Sequence, residues 1–165
     1  MLSRRDLLLL LGQGYVGAKL APVMSALLTP PPPKAAMRCI NVVNFIRAVE
    51  PRFSMDMMLS VRRQMEIVLA QKLPATWLLQ FDALVSGPFV DFLKEHMAKD
   101  HEFGFWFEMN EKHCRAAGVE WRGRPDYEWD YSPPVAFTLG YTKEERFKLA
   151  DTAMREFKRI WGHYP

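Results

Sequence analysis

Charged side chains stand at the ends of three apolar runs, where a buried strand gives way to solvent. Arg47 closes "RCINVVNFIR" (Arg38 to Arg47) and Glu50 follows it; Asp82 follows "ATWLLQF" (Ala75 to Phe81); Glu108 lies within "HEFGFWFEMNEKHC" (His101 to Cys114). Two carboxylates facing each other across a pocket can divide the general acid and general base roles of a hydrolysis. Glu108 is therefore expected as acid or base, Asp82 as its partner, and Arg47 as a fixed cation that orients an acidic or acetylated substrate. The same residues admit a structural reading, in which Glu108 and Arg47 form a buried ion pair and Asp82 caps the next helix.

Aromatic side chains add a binding surface. Trp106 lies within the third apolar run, at a position expected to point inward, and "VEWRGRPDYEWDYSPP" sets Trp121, Tyr127, Trp129 and Tyr131 among arginines and carboxylates. Flat apolar faces beside hydrogen-bonding groups suit the stacking of sugar rings whose hydroxyls must be satisfied. Trp106, Glu50, Asn110, Trp129 and Tyr131 are the expected substrate contacts. Phe103, Phe105 and Phe107 are read instead as core, in a parallel strand buried on both faces.

No metal and no cofactor are expected. Cys39 and Cys114 have no CxxC spacing, so a zinc knuckle or redox pair is disfavoured and two free buried thiols are the favoured reading. His113 lies a turn into the helix after the third strand and is expected to face solvent. A metal-dependent hydrolase using Glu50, Glu108 and His113 is a third reading, one that bound zinc would establish.

These groups need elements to position them. The chain has 165 residues, 49% of them apolar, and a formal net charge of +3. That fits one domain with a real core, and the mixed charges do not mark a nucleic-acid surface. Strand candidates alternate with amphipathic helices: Met58, Val61, Met65, Val68 and Leu69 recur at helical spacing, and Pro88 opens a helix showing Phe89, Phe92, Leu93 and Met97 to the core. "NEKHCRAAG" predicts a short helix capped by Gly118, and "VAFTLGY" a fourth strand. Thr142 and Glu145 form a capping box before a helix whose Phe147, Ala150, Met154, Phe157 and Trp161 share a face. Such alternation implies an α/β fold with parallel strands alternating with helices.

Residues 1–28 differ from the rest. "MLSRRDLLLLLGQGYVGAKLAPVMSALL" has a basic start and a leucine run, and Pro30 to Pro33 make a stiff spacer within residues 29–37. "SRRDLL" (Ser3 to Leu8) resembles a bacterial twin-arginine signal, with Leu7 and Leu8 in place of the usual Phe-Leu. Residues 1–28 are thus expected to be an export signal or membrane anchor, and the protein to be periplasmic or extracellular. A tether by an amphipathic N-terminal helix is the alternative, since Lys19 interrupts the apolar stretch. Residues 38–165 form the expected domain.

"NFIRA" (Asn44 to Ala48), "ATW" (Ala75 to Trp77) and "EFG" (Glu102 to Gly104) follow one another in the order and approximate spacing of three strand motifs of the NodB-type polysaccharide deacetylase superfamily, which this chain resembles over residues 38 to about 141. The resemblance implies the N-terminal half of a distorted (β/α) barrel acting on a polysaccharide or oligosaccharide, with its site at the C-terminal strand ends. Where the family carries its catalytic and metal aspartates, this chain has Ile46 and Arg47; where the metal histidines belong, it has Trp106 and Asn110. A guanidinium would repel a cation from such a pocket, so the expected activity is metal-independent. The alternative is an inactive glycan-binding or assembly module on the same scaffold. A half barrel also leaves strand edges that a missing C-terminal half or an oligomer partner would cover.

Overall fold

The computed structural model describes residues 40–165. The expected export segment, its proline spacer and Cys39 lie outside the described residues.

Three short strands form one sheet in the order β1 (Val43–Ile46), β2 (Ala75–Leu79), β3 (His101–Phe105), all parallel. The register aligns Asn44 with Trp77 and Phe103, and Ile46 with Leu79 and Phe105. Side chains alternate across a strand, so these residues share one face while Val43, Phe45, Thr76, Leu78, Glu102 and Gly104 share the other.

Among the described residues, helices cover the first face only. Helix α1 (Met57–Ala70) is capped by Asp56, whose carboxylate accepts from Met58 N at 2.9 Å, and it turns Met58, Val61, Met65 and Val68 inward. After β2 come α2 (Phe81–Leu84) and α3 (Gly87–His96), the latter with Pro88 in its first turn and Phe89, Val90 and Leu93 buried. Side chains of both longer helices join Ile46, Ala75, Trp77 and Leu79 in one core, together with Ala153 and Phe157 of the last helix. Trp77 and Leu79 are completely buried, each worth roughly 1.5–3 kcal/mol of transfer free energy.

After β3 the chain forms α4 (Glu111–Ala117), with Asn110 as N-cap and Gly118 closing it at φ 63°, a left-handed conformation that glycine adopts without a Cβ penalty. The expected fourth strand is not formed. Pro133–Ala136 instead make a one-turn helix, α5. Two successive prolines cannot donate to a neighbouring strand, and their fixed φ suits a helix start. Helix α6 (Lys143–Trp161) begins with the predicted capping box.

The buried stripe of α6 is rotated from the expected one. Leu149, Thr152, Ala153 and Phe157 are buried, whereas Phe147 is 65% exposed and Ala150, Met154 and Trp161 are half-buried. The helix serves two packing regions: Ala153 and Phe157 meet the sheet core, and Leu149 meets Met109, Cys114, Val119 and Tyr141. The both-faces expectation for the third strand also fails. Phe103 and Phe105, on the covered face, pack half-buried against the sheet core as expected, whereas Glu102 on the opposite face and Phe107 beyond the strand are exposed.

Candidate functional site

The C-terminal ends of parallel strands point the same way, and Arg47, Asp82 and Glu108 gather there. Asp82 is 2% exposed and fully engaged: Oδ2 accepts from Ala48 N at 2.9 Å and Val49 N at 3.0 Å, and Oδ1 from Ala83 N at 2.8 Å. Burial pushes its carboxyl above the usual range, opposed by those amide donors. Asp82 does not cap α2, whose N-cap is Gln80; it lies inside that helix and ties the loop after β1 to the end of β2, and neither oxygen is left free of a backbone partner.

Glu108 is 3% exposed. Gln80, buried at the end of β2, reaches its backbone oxygen and Oε2 with Nε2, each at 3.4 Å. Burial raises the Glu108 pKa and the charge of Asp82 adds to this; the Arg47 guanidinium and the Trp129 indole N–H act against it. Glu108 is thus a carboxyl poised to hold a proton, beside a cation.

Arg47 does not form the expected ion pair with Glu108. Its nearest carboxylate is Glu50, with Nη1 3.8 Å from Oε2. Glu50 is bound more closely by Arg52, with Nε at 2.7 Å and Nη2 at 2.5 Å, and these bonds hold it below its usual pKa against a smaller effect of burial. The Arg47 guanidinium lies 4.0 Å from the centroid of the Trp129 ring and 5.6 Å from that of Trp106. Such cation–π contacts contribute about 0.5–2 kcal/mol.

The expected sugar-stacking residues divide by exposure. Trp129 is 4% exposed and lies under Arg47, Trp106 is half-buried against Phe45, and Tyr131 is 56% exposed beside Arg52 and Arg124. Asn110 is the N-cap of α4, its Oδ1 accepting from His113 N at 2.8 Å, and its backbone pairs with Trp129 in an antiparallel bridge. That bridge holds the aromatic loop against the strand ends. Asp130 stiffens the same loop: despite the opposing effect of burial its pKa is lowered by Arg124, whose Nε donates to Oδ2 at 2.8 Å.

His113 is buried, not solvent-facing. It stacks on Phe81 at 4.4 Å with rings 3° from parallel, and Nε2 pairs with the Leu149 carbonyl at 2.8 Å. Burial pushes its pKa down to about 4. It is therefore unavailable to Glu50 and Glu108, and no three His, Cys, Asp or Glu side chains cluster as metal ligands among the described residues. Cys114 is a free buried thiol, 3.5 Å from the Tyr141 hydroxyl, and burial raises its pKa.

Two contributors were missed by sequence reasoning, Gln80 and Arg52. Gln80 had a signal: it is the one amide side chain in "ATWLLQF", set between Leu79 and Phe81. Three buried polar atoms around Glu108 make no hydrogen bond of good geometry within the protein: Arg47 Nη1, Gln80 Oε1 and Trp129 Nε1, the last near enough to Glu108 to lower its pKa. Nearby, Asn110 Nδ2 is in the same state.

Fold and site together define an α/β domain with a polar, aromatic-lined cluster at the C-terminal ends of parallel strands. No protein-family model, no curated protein and no solved structure matches the chain.

Proposed function

We propose that the chain is an exported carbohydrate-binding protein, built on part of a (β/α) barrel, that holds a glycan at the C-terminal strand ends without a metal. The observation that carries this reading is the group of unpartnered buried atoms around Glu108. An unsatisfied buried polar group costs about 1–3 kcal/mol. A sugar hydroxyl donates and accepts at once, so it matches a set that includes guanidinium and indole donors and an amide acceptor. Trp106 and the exposed Tyr131 offer flat faces beside them, and Arg47 with Arg52 favours an acidic or acetylated sugar. The barrel reading is supported by parallel strands in sequential order with helices on one face.

Binding is favoured over hydrolysis because all of the hydrogen bonds to Asp82 come from the backbone, which leaves Glu108 without an obvious second carboxylate. A hydrolytic reading keeps one argument: the raised pKa of Glu108 suits a general acid.

The test is calorimetric titration of the full chain with neutral, acidic and N-acetylated oligosaccharides. Binding is expected to weaken about tenfold, about 1.4 kcal/mol, in Tyr131→Ala and in Trp106→Ala, and Glu108→Gln is expected to bind while releasing no product. Absence of binding to every glycan, or affinities untouched by both aromatic substitutions, would refute the binding reading. Turnover that Glu108→Gln abolishes would establish the hydrolytic one.

A further inference from the structure

Arginines and aromatic rings alternate outward from the strand ends. Arg47, 5.6 Å from the ring centroid of Trp106 and 4.0 Å from that of Trp129, begins the series. Arg52 follows, 5.4 Å from Trp129 and 6.0 Å from Tyr131; Arg124 comes next, 5.0 Å from Tyr131 and 4.0 Å from Tyr127. Every guanidinium is within the roughly 6 Å at which a ring attracts it, so each member is held by its neighbours. Exposure rises along the series, from Trp129 at 4% to Tyr131 at 56%. The series therefore leads out of the cluster around Glu108.

At its outer end lies an open cleft of about 410 Å³, walled by Arg122, Arg124, Asp130, Tyr131 and Ser132. Small-molecule sites occupy about 300–1,000 Å³. The carboxylate acceptors there are used up: Asp130 accepts from Arg124 and from Ser132 N, and Glu145 from Arg122 and from Thr142 N. The donors are not. Arg122 Nε and Arg124 Nη1 make no hydrogen bond among the described residues, although all five N–H groups of a guanidinium can donate. Charge is balanced, since each of these arginines has its own carboxylate. Spare donors without net charge, beside a tyrosine ring, suit the hydroxyl and carbonyl oxygens of a neutral sugar better than a second anion.

We infer that this cleft is a second sugar subsite, joined to the strand-end site through Tyr131, and that the ligand is a chain with an acidic unit at Arg47 and the next, neutral unit between Arg122 and Arg124. The inference rests on the glycan-binding reading above. The uncompensated positive charge lies at the strand ends, where Arg47 and Arg52 share the single carboxylate of Glu50. The Trp129 and Tyr131 ring centroids are 6.4 Å apart, so directly linked sugars span the two sites.

Calorimetric titration of the full chain tests this by comparing glucuronate with the glucuronate and N-acetylglucosamine disaccharide, and galacturonate with its dimer. At least one disaccharide is expected to bind about tenfold more tightly than its monosaccharide. Arg122→Gln, which alters only the cleft, is expected to remove that gain and leave the monosaccharide affinity unchanged. Arg124→Lys, which keeps a cation for Asp130 and loses the spare donor, is expected to reduce the gain in the same way. The monosaccharide affinity and circular dichroism of each variant verify folding. Equal affinities within both pairs, or a gain that survives both substitutions, overturns the second subsite and leaves the strand-end site standing. A wild-type chain that binds none of these sugars overturns the subsite together with the reading it rests on.

Discussion

Acidification tests the packing of His113 directly. In the fold the imidazole is neutral: Nε2–H donates to the Leu149 carbonyl, and Nδ1 is buried without a partner against Phe81 and the edges of Phe105 and Phe107. A proton on Nδ1 would place a charged N–H in an apolar slot. The folded pKa is therefore depressed to about 4 from 6.5. The unfolded chain takes up a proton that the folded one refuses, so the stability contribution is fully present above pH 6.5 and falls as pH drops toward 4. At about 1.4 kcal/mol per unit, His113 alone removes about 3 kcal/mol across that window. Other carboxyls titrate in the same range, so the informative quantity is the difference between wild type and His113→Phe. The phenyl ring keeps the stack on Phe81 and loses one hydrogen bond, costing about 1 kcal/mol at neutral pH. Urea unfolding followed by far-ultraviolet circular dichroism is expected to show the variant less stable at neutral pH. At about pH 5 it should be the more stable of the two, since wild type has by then lost about 2 kcal/mol. Two stability curves that stay parallel throughout would refute the reasoning.

Asp82→Asn is expected to lower unfolding free energy by about 2–4 kcal/mol in denaturant titration, because an amide cannot accept from three backbone N–H groups and must turn one donor against another. Thr142→Ala removes the side-chain acceptor of the α6 capping box and should cost about 1 kcal/mol, measured by thermal unfolding. Cys114, with its thiol pKa raised by burial, should resist alkylation in the native protein and react once urea unfolds it, as peptide mass spectrometry of the alkylated chain would record.

Much of this architecture was legible from hydrophobic period and punctuation alone. Pro88, Gly118 and the pair Thr142 and Glu145 mark helix ends through local chemistry that needs no tertiary partner, and all sit at or within a residue or two of the observed boundaries. "VAFTLGY" misled because it is apolar enough for a strand; the decisive signal was the proline pair before it, which acts on the backbone rather than on hydropathy. The position of His113 could not be read from its own helix. Its burial depends on Leu149, thirty-six residues later, presenting a carbonyl. The strand-end placement of Arg47, Asp82 and Glu108 followed from parallel topology. Their partners did not, because Asp82 is satisfied by main-chain amides that carry no residue identity.

The carboxylate that binds Ala48 and Val49 also has a mechanical meaning. Among the described residues the first strand, four residues long, pairs on one side only, and beyond that ladder it is fastened to the second strand's end by those two bonds. Tension applied at Ile40 and directed along the strand would load the ladder in shear, with Asp82 as the latch at its far end. Resistance to extraction from this terminus would thus be shared between the ladder and one side chain, and Asp82→Asn would lower the rupture force found in a single-molecule pull.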